Sequence, residues 1–230
     1  VKGVLLTSKP LTGRTHVFAD RAAAGRALSS LLPHLHGTDA LVLAIPSGGV
    51  PVAAALAADA RLALDVAPVS KALFPWTTES GFGAVAFDGS SWIDEALVAR
   101  HRLTDRQLEA ALDEARQKVA RRVARLRGAR PFEVANRSVV LVDDGIAGGA
   151  TMRTAITALR RAGVTSLVVA VPTAHEAAVA ALEPLVDVLA IANLRGGRSF
   201  AVADAYAEWR DVDEAEAAGL LAASPGWKAA

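Results

Sequence analysis

At 230 residues and 52% hydrophobic side chains, the chain suffices for one large domain, or a domain with an inserted subdomain, burying roughly 70–75% of its unfolded surface. It has no cysteine, which excludes disulfides and thiolate metal sites, and a net charge of +1 excludes an overall attraction to nucleic acid. No apolar run approaches the ~18 residues of a membrane span, so neither nucleic acid nor a membrane is an expected partner.

The opening residues, Val1-Lys2-Gly3-Val4-Leu5-Leu6, are too short for the apolar stretch of a secretion signal, and the expected location is cytoplasmic. From about residue 18 to 192, apolar runs alternate with helical stretches, the pattern of a parallel α/β sheet. Asp20 is placed to cap a helix that continues through Leu32. Residues 41–45 read as a buried strand, stopped by Pro46-Ser47-Gly48-Gly49. A helix follows from Val50-Pro51 to Ala58, and residues 64–69 read as a second strand that delivers Ser70 and Lys71 at its end.

Residues 72–102 interrupt the alternation. Phe74-Pro75-Trp76-Thr77-Thr78-Glu79-Ser80-Gly81 is loop-like, residues 83–87 form a candidate strand, and Asp88-Gly89 is a hairpin-type turn. Thr104 and Gln107 have capping-box spacing and start a long helix. Its apolar stripe is Leu108, Leu112, Ala115, Val119, Val123 and Leu126, and Gly128 and Pro131 stop it. The basic cluster Arg121, Arg122, Arg125, Arg127 and Arg130 at its end reads as a solvated helix terminus that suits the macrodipole. Beyond it come strands at 139–142, 167–171 and 186–192, helices at 153–162 and 175–182, and a tail with Phe200, Tyr206, Trp209 and a last helix near 213–221. The five histidines show no metal-ligand spacing.

The most informative segment is Val139-Val140-Leu141-Val142-Asp143-Asp144-Gly145-Ile146-Ala147-Gly148-Gly149-Ala150-Thr151-Met152. A buried strand delivers two carboxylates to a sheet edge, beside a glycine-rich turn at a helix N-terminus. Free backbone N–H groups and the helix dipole hold a phosphate there, and the acids accept hydrogen bonds from sugar hydroxyls. The competing reading is an ordinary strand–turn–helix with a solvated acid pair. In a doubly wound sheet, ligands bind beyond the C-terminal strand ends, so the loops at 46–51, 70–83 and 143–151 should converge on one cleft.

This segment resembles the phosphoribosyl diphosphate (PRPP) motif of type I phosphoribosyltransferases: Asp143 and Asp144 match its acid pair, Gly149 and Thr151 its loop. The resemblance covers about residues 17–222 and includes Val17-Phe18-Ala19-Asp20-Arg21, Ala24-Gly25-Arg26, the Pro46-Ser47-Gly48-Gly49-Val50 loop, Val69-Ser70-Lys71, Gly83-Ala84-Val85, Phe200-Ala201-Val202 and Tyr206. It implies the type I phosphoribosyltransferase fold: α/β, a mostly parallel central sheet flanked by helices, a small hood and a flexible loop. The expected organisation is a single domain over 1–230, with a core at about 17–71 and 130–195. A loop and long-helix insertion occupies about 72–129, and a tail follows at 196–230.

The implied activity is transfer of the 5-phosphoribosyl group of PRPP to a nitrogenous or aromatic acceptor, with release of pyrophosphate and with Mg²⁺ as cofactor. Asp143, Asp144 and Lys71 are the implied catalytic residues, and Asp143 and Asp144 meet Mg²⁺ through water or substrate. Gly145, Ile146, Ala147, Gly148, Gly149, Ala150 and Thr151 would carry the 5′-phosphate. Ser47, Gly48 and Gly49, with Lys71, would face the pyrophosphate, and Glu79 aligns with an acid of the family's loop. The small-molecule substrates are the expected partners, and a homodimer follows from the family's habit. Three positions depart from the family: Ser47 and Ser70 stand where arginine is common, Gly148 where threonine is. Each removes a donor worth roughly 1.5–3 kcal/mol to a charged group. The lost arginines favour a non-catalytic PRPP- or nucleotide-binding regulator, against which the two retained aspartates count. A hydrolase of a phosphorylated sugar or nucleotide, using the same site with water as acceptor, is a further alternative.

Overall fold

The computed structural model describes residues 3–78, 80–197 and 199–224. In chain order its elements are β1 (Val4–Thr7), α1 (Arg21–Leu31), β2 (Leu41–Ala44), α2 (Gly49–Ala60), β3 (Ala63–Val66), β4 (Val69–Leu73), β5 (Gly81–Ala86), β6 (Ser91–Ile93), α3 (Glu95–Arg100) and α4 (Asp105–Leu126). They continue with β7 (Ser138–Val142), α5 (Ala150–Arg161), β8 (Ser166–His175), α6 (Glu176–Leu182), β9 (Val188–Arg195) and α7 (Glu214–Ala222). Six strands form one sheet in the order β1-β9-β8-β7-β2-β3, every neighbouring pair parallel. β4, β5 and β6 form a separate antiparallel sheet.

The near-continuous apolar runs of β2 and β7 follow from burial on both faces, as a covered parallel sheet requires. Alternate residues serve opposite layers. Val42 and Ala44 join Val140 and Val142 beneath α1, α2 and α7, with Leu28, Val52 and Leu56. Leu41 and Leu43 join Val139 and Leu141 beneath α5 and α6, with Met152, Ile156 and Leu182. A third cluster joins Leu112, Ala115 and Val119 of α4 to Phe74, Phe82 and Val85. The apolar stripe expected of the long helix therefore packs on the small sheet, apart from Leu126, which joins the first cluster. Its capping box forms as the sequence indicates, with Thr104 Oγ1 accepting from the Gln107 N–H and the Gln107 side chain accepting from the Thr104 N–H.

The strand expected over 64–69 is two strands in two sheets. The ladder to β2 ends with the Ala67 N–H donating to the Ala44 carbonyl at 2.9 Å, and Pro68 has no N–H to extend it. The chain restarts at Val69 as β4, paired antiparallel with β5, so Ser70 and Lys71 lie inside a strand of the small sheet. β1, β6 and α3 went unanticipated: the first two are four and three residues long, too short for a periodicity signal. Among the described residues, no helix is long and apolar enough to cross a membrane.

The chain goes from β2 outward to β3, leaves for the small sheet and α4, and returns as β7 on the other side of β2. From β7 it proceeds the opposite way through β8 and β9. Strand order thus reverses between β2 and β7, whose last residues Ala44 and Val142 are register partners. A ligand crevice belongs beyond those two ends.

Candidate active site

Asp143 and Asp144 emerge directly from β7, and the Asp144 N–H donates to Asp143 Oδ1 at 2.9 Å. Burial, reinforced by the neighbouring Asp144 charge, pushes the Asp143 carboxyl well above the usual carboxylate range. Burial also raises Asp144, while the Arg21 guanidinium opposes the rise. Arg21 Nε and Nη2 both donate to Asp144 Oδ2, at 3.0 and 2.9 Å. The Tyr206 hydroxyl donates to the Asp144 carbonyl at 2.6 Å, and burial raises that phenol far above its ordinary value.

The glycine-rich turn divides in two. Ile146 joins the edge of β8: its N–H donates to the Thr173 carbonyl and its carbonyl accepts from the His175 N–H, both at 2.9 Å. The Ile146 amide is therefore engaged, and the expectation that every amide from Gly145 to Thr151 faces a phosphate narrows accordingly. Gly145 is pinned as well, since a Cβ there would lie 2.5 Å from Val202 Cγ1. Beyond it, the amides of Ala147, Gly148, Gly149, Ala150 and Thr151 bond to no described residue. Gly149 caps α5 in the left-handed region, φ 82°, which glycine tolerates without a steric penalty. The first turn of α5 leaves its N–H groups without helical acceptors, so a cradle for an anion remains at Ala147 to Thr151.

The first loop serves the acids more directly than expected. The Pro46–Ser47 peptide is cis, Ser47 is buried, and the Gly49 N–H is taken by the Ile45 carbonyl at 3.1 Å. A Cβ on Gly48 would sit 2.2 Å from Asp144 Oδ2, and one on Gly49 2.9 Å from Asp143 Cα. Glycine occurs at both positions because α2 begins in contact with the acid pair. Of the two amides, only that of Gly48 is without a bond to a described residue.

Lys71 projects from β4, while Ser70 on the opposite face is buried. The Lys71 charge acts on both acids, lowering their otherwise raised values. It lines two adjoining clefts, each of about 360 Å³. One cleft contains Asp144, the turn from Gly145 to Met152, and Val202. The other contains Pro46, Ser70, Glu114, Lys118 and Arg122, and shares Lys71, Asp143 and Thr151 with the first. All three loops expected at the crevice thus meet there. Glu79, also a candidate, lies outside the described residues.

The basic end of α4 is not simply solvated. Arg122 donates to the Val69 carbonyl and to Glu214, both at 3.2 Å. Arg127 is buried, donating to Asp65 at 3.1 Å and to the Pro131 carbonyl at 2.8 Å. Lys118, one turn before Arg122, has its ammonium value lowered, first by burial and then by the Arg122 charge. A sequence shows the macrodipole pattern but not that β4 and β5 pass beneath this helix or that Asp65 of β3 meets Arg127 at its end. Arg21, Tyr206, Lys118 and Arg122 were therefore missed as site residues, although Arg21 and Tyr206 stand in segments singled out for their resemblance.

Among the described residues no group of three or more His, Cys, Asp or Glu could hold a metal ion. Two adjacent carboxylates at a cleft suit a hard divalent cation only when a ligand supplies most of the oxygens.

A profile described as "Phosphoribosyl transferase domain" matches residues 93–190. A Thermus thermophilus protein of known crystal structure, TT1426, is 33% identical, with a TM-score of 0.69 over 89% of this chain and 97% of that one. Two Mycobacterium tuberculosis proteins, "Putative phosphoribosyl transferase MT0597" (strain CDC 1551 / Oshkosh) and "Putative phosphoribosyl transferase Rv0571c" (strain ATCC 25618 / H37Rv), are each 33% identical over 207 residues, 89% of this chain and 46% of their own length. The chain spans about half the length of these curated relatives. With the parallel sheet, the acid pair at the crevice and the amide cradle beside it, these likenesses identify the chain as a member of the phosphoribosyltransferase-domain family.

Proposed function

We propose that the crevice binds PRPP and transfers its 5-phosphoribosyl group to a nitrogenous or aromatic acceptor, releasing pyrophosphate. The observation that carries this reading is the adjacency of Asp143 and Asp144 to the five unengaged amides from Ala147 to Thr151. A phosphate on those amides puts the attached sugar's hydroxyls within reach of the acids. The second cleft supports the polyanionic end of the same molecule, because it gathers Lys71, Lys118 and Arg122. The Gly48 amide adds a donor where the family commonly has an arginine side chain nearby.

The reaction breaks the anomeric C–O bond with positive charge developing on the ribose. The residues' task is to fix the sugar and stabilise the departing anion, by positioning and electrostatics. Asp144, with Oδ2 gripped by Arg21, accepts from a ribose hydroxyl. Asp143 and Asp144 are the residues that would hold a Mg²⁺ ion, through water or substrate, and such an ion would supply positive charge to stabilise the leaving pyrophosphate. Lys71 offers its ammonium to the same leaving group.

The test is binding followed by turnover. PRPP with Mg²⁺ at ~100 times its Kd stabilises the fold by about 2.7 kcal/mol, a melting shift of roughly 5–10 °C at this size. Pyrophosphate release that depends on an added base or aromatic amine supports the transferase, and release without one points to the hydrolase. No shift with PRPP, ribose 5-phosphate or any nucleoside monophosphate overturns the reading.

A further inference from the structure

We infer that Arg21 is a positioning residue for the second acid and that the C-terminal tail holds it in place. The inference rests on the ribose-binding role proposed for Asp144. Arg21 is 8% exposed, and both of its donations to Asp144 converge on one oxygen, Oδ2. The same Oδ2 abuts the backbone of Gly48. Asp144 Oδ1 is thus the oxygen left to accept from a sugar hydroxyl, and its direction is fixed by the grip on Oδ2.

The grip is itself anchored. Arg21 Nη1 donates to the Arg210 carbonyl at 2.8 Å. Its guanidinium lies 3.9 Å from the Trp209 ring centroid, a cation–π contact that favours a planar cation at fixed height. The Trp209 ring packs on Tyr206, with centroids 5.2 Å apart, and the Tyr206 hydroxyl holds the Asp144 carbonyl. The chain runs Asp144–Arg21–Trp209–Tyr206–Asp144 and closes on itself. Two groups of Asp144 are therefore restrained from one side by a segment more than 60 residues downstream, the Tyr206 bond alone spanning 62 positions. The tail is part of the site, and among its described residues Val202 lines the sugar-phosphate cleft.

The consequence is a separation between two parts of one ligand. The amide cradle depends on α5 and not on Arg21, whereas sugar recognition depends on the aim of Asp144. Calorimetric titration of ribose 5-phosphate and of inorganic phosphate, each with Mg²⁺, into Arg21→Met, Arg21→Lys and Trp209→Ala tests this. Losing a well-aimed bond to a charged acceptor corresponds to about a 10- to 100-fold loss. Arg21→Met should weaken ribose 5-phosphate by that factor and leave phosphate within about 2-fold. Arg21→Lys, which keeps the charge without the fork, should recover part of the loss. Trp209→Ala removes a side chain that is 39% exposed and provides a variant with less risk to folding; it should show the same ribose-selective loss, smaller in size. Equal losses for both ligands, or no loss of ribose 5-phosphate, overturn the inference. If the unaltered protein binds neither ligand, the proposed function fails first and this inference with it.

Discussion

Asp143 combines two demands that oppose each other. It is buried beside a second acid, so its carboxyl is raised well above the ordinary value, and folding takes up a proton there. The sign follows from linkage: the stability that comes with protonation is complete below the unfolded value near pH 4 and is lost as pH rises through the raised one. Asp143→Asn keeps an acceptor for the Asp144 N–H and carries no charge. It should melt at the same temperature as the parent near pH 4 and progressively higher as pH increases, gaining up to roughly 3–6 °C per unit across the window, while PRPP turnover falls. Melting curves over a pH series check this; a gap of constant size or opposite sign contradicts it. Two glycines proposed to face the ligand differ in the same local terms. A Cβ at Gly48 meets Asp144 Oδ2 at 2.2 Å, whereas nothing lies within 4 Å of one at Gly148. Gly48→Ala should therefore destabilise by about 1–3 kcal/mol through overpacking. Gly148→Thr should leave the melting temperature nearly unchanged and tighten phosphate binding about 10-fold by adding a hydroxyl donor. Urea unfolding and calorimetry distinguish these outcomes, and a Gly148→Thr variant that weakens phosphate binding would count against the cradle.

At the scale of elements, α4 does more than cover the small sheet. Its apolar stripe is buried on Phe74, Phe82 and Val85, which turns Lys118 and Arg122 toward β4 and the second cleft. Arg122 is fixed by the Val69 carbonyl and Glu214, whereas Lys118 presents its ammonium to the same cleft. Lys118→Ala should weaken pyrophosphate binding by about 3- to 10-fold, less than a buried ion pair would lose because solvent screens the ammonium. Ribose 5-phosphate binding should not change. A titration showing equal effects on both ligands would place Lys118 outside the polyanion end. The stripe itself was legible from the 3.6-residue spacing, but not what the flank of α4 that carries Lys118 and Arg122 meets. That depends on Pro68, which ends β3 and lets β4 start a second sheet under the helix. A proline after an apolar run announces a break in a ladder without saying where the next strand pairs.

For the molecule as a whole, local signals specified a great deal. The unbroken apolar runs of β2 and β7, the capping pattern at Thr104 and the acid pair followed by glycines each reflect a constraint within about 15 residues. They were sufficient for a parallel α/β fold with a crevice at Asp143 and Asp144. Register and strand order were not local. The reversal between β2 and β7 brings Gly48 against Asp144 from nearly 100 residues away, and the tail returns to hold Arg21 and the Asp144 carbonyl. The sequence by itself determined which residue types could bind a sugar phosphate, because the strand, the acids and the amide turn are contiguous. Only the tertiary structure decided which amides are engaged, which acid is gripped and which cations reach the cleft, because each of those depends on partners distant in the chain.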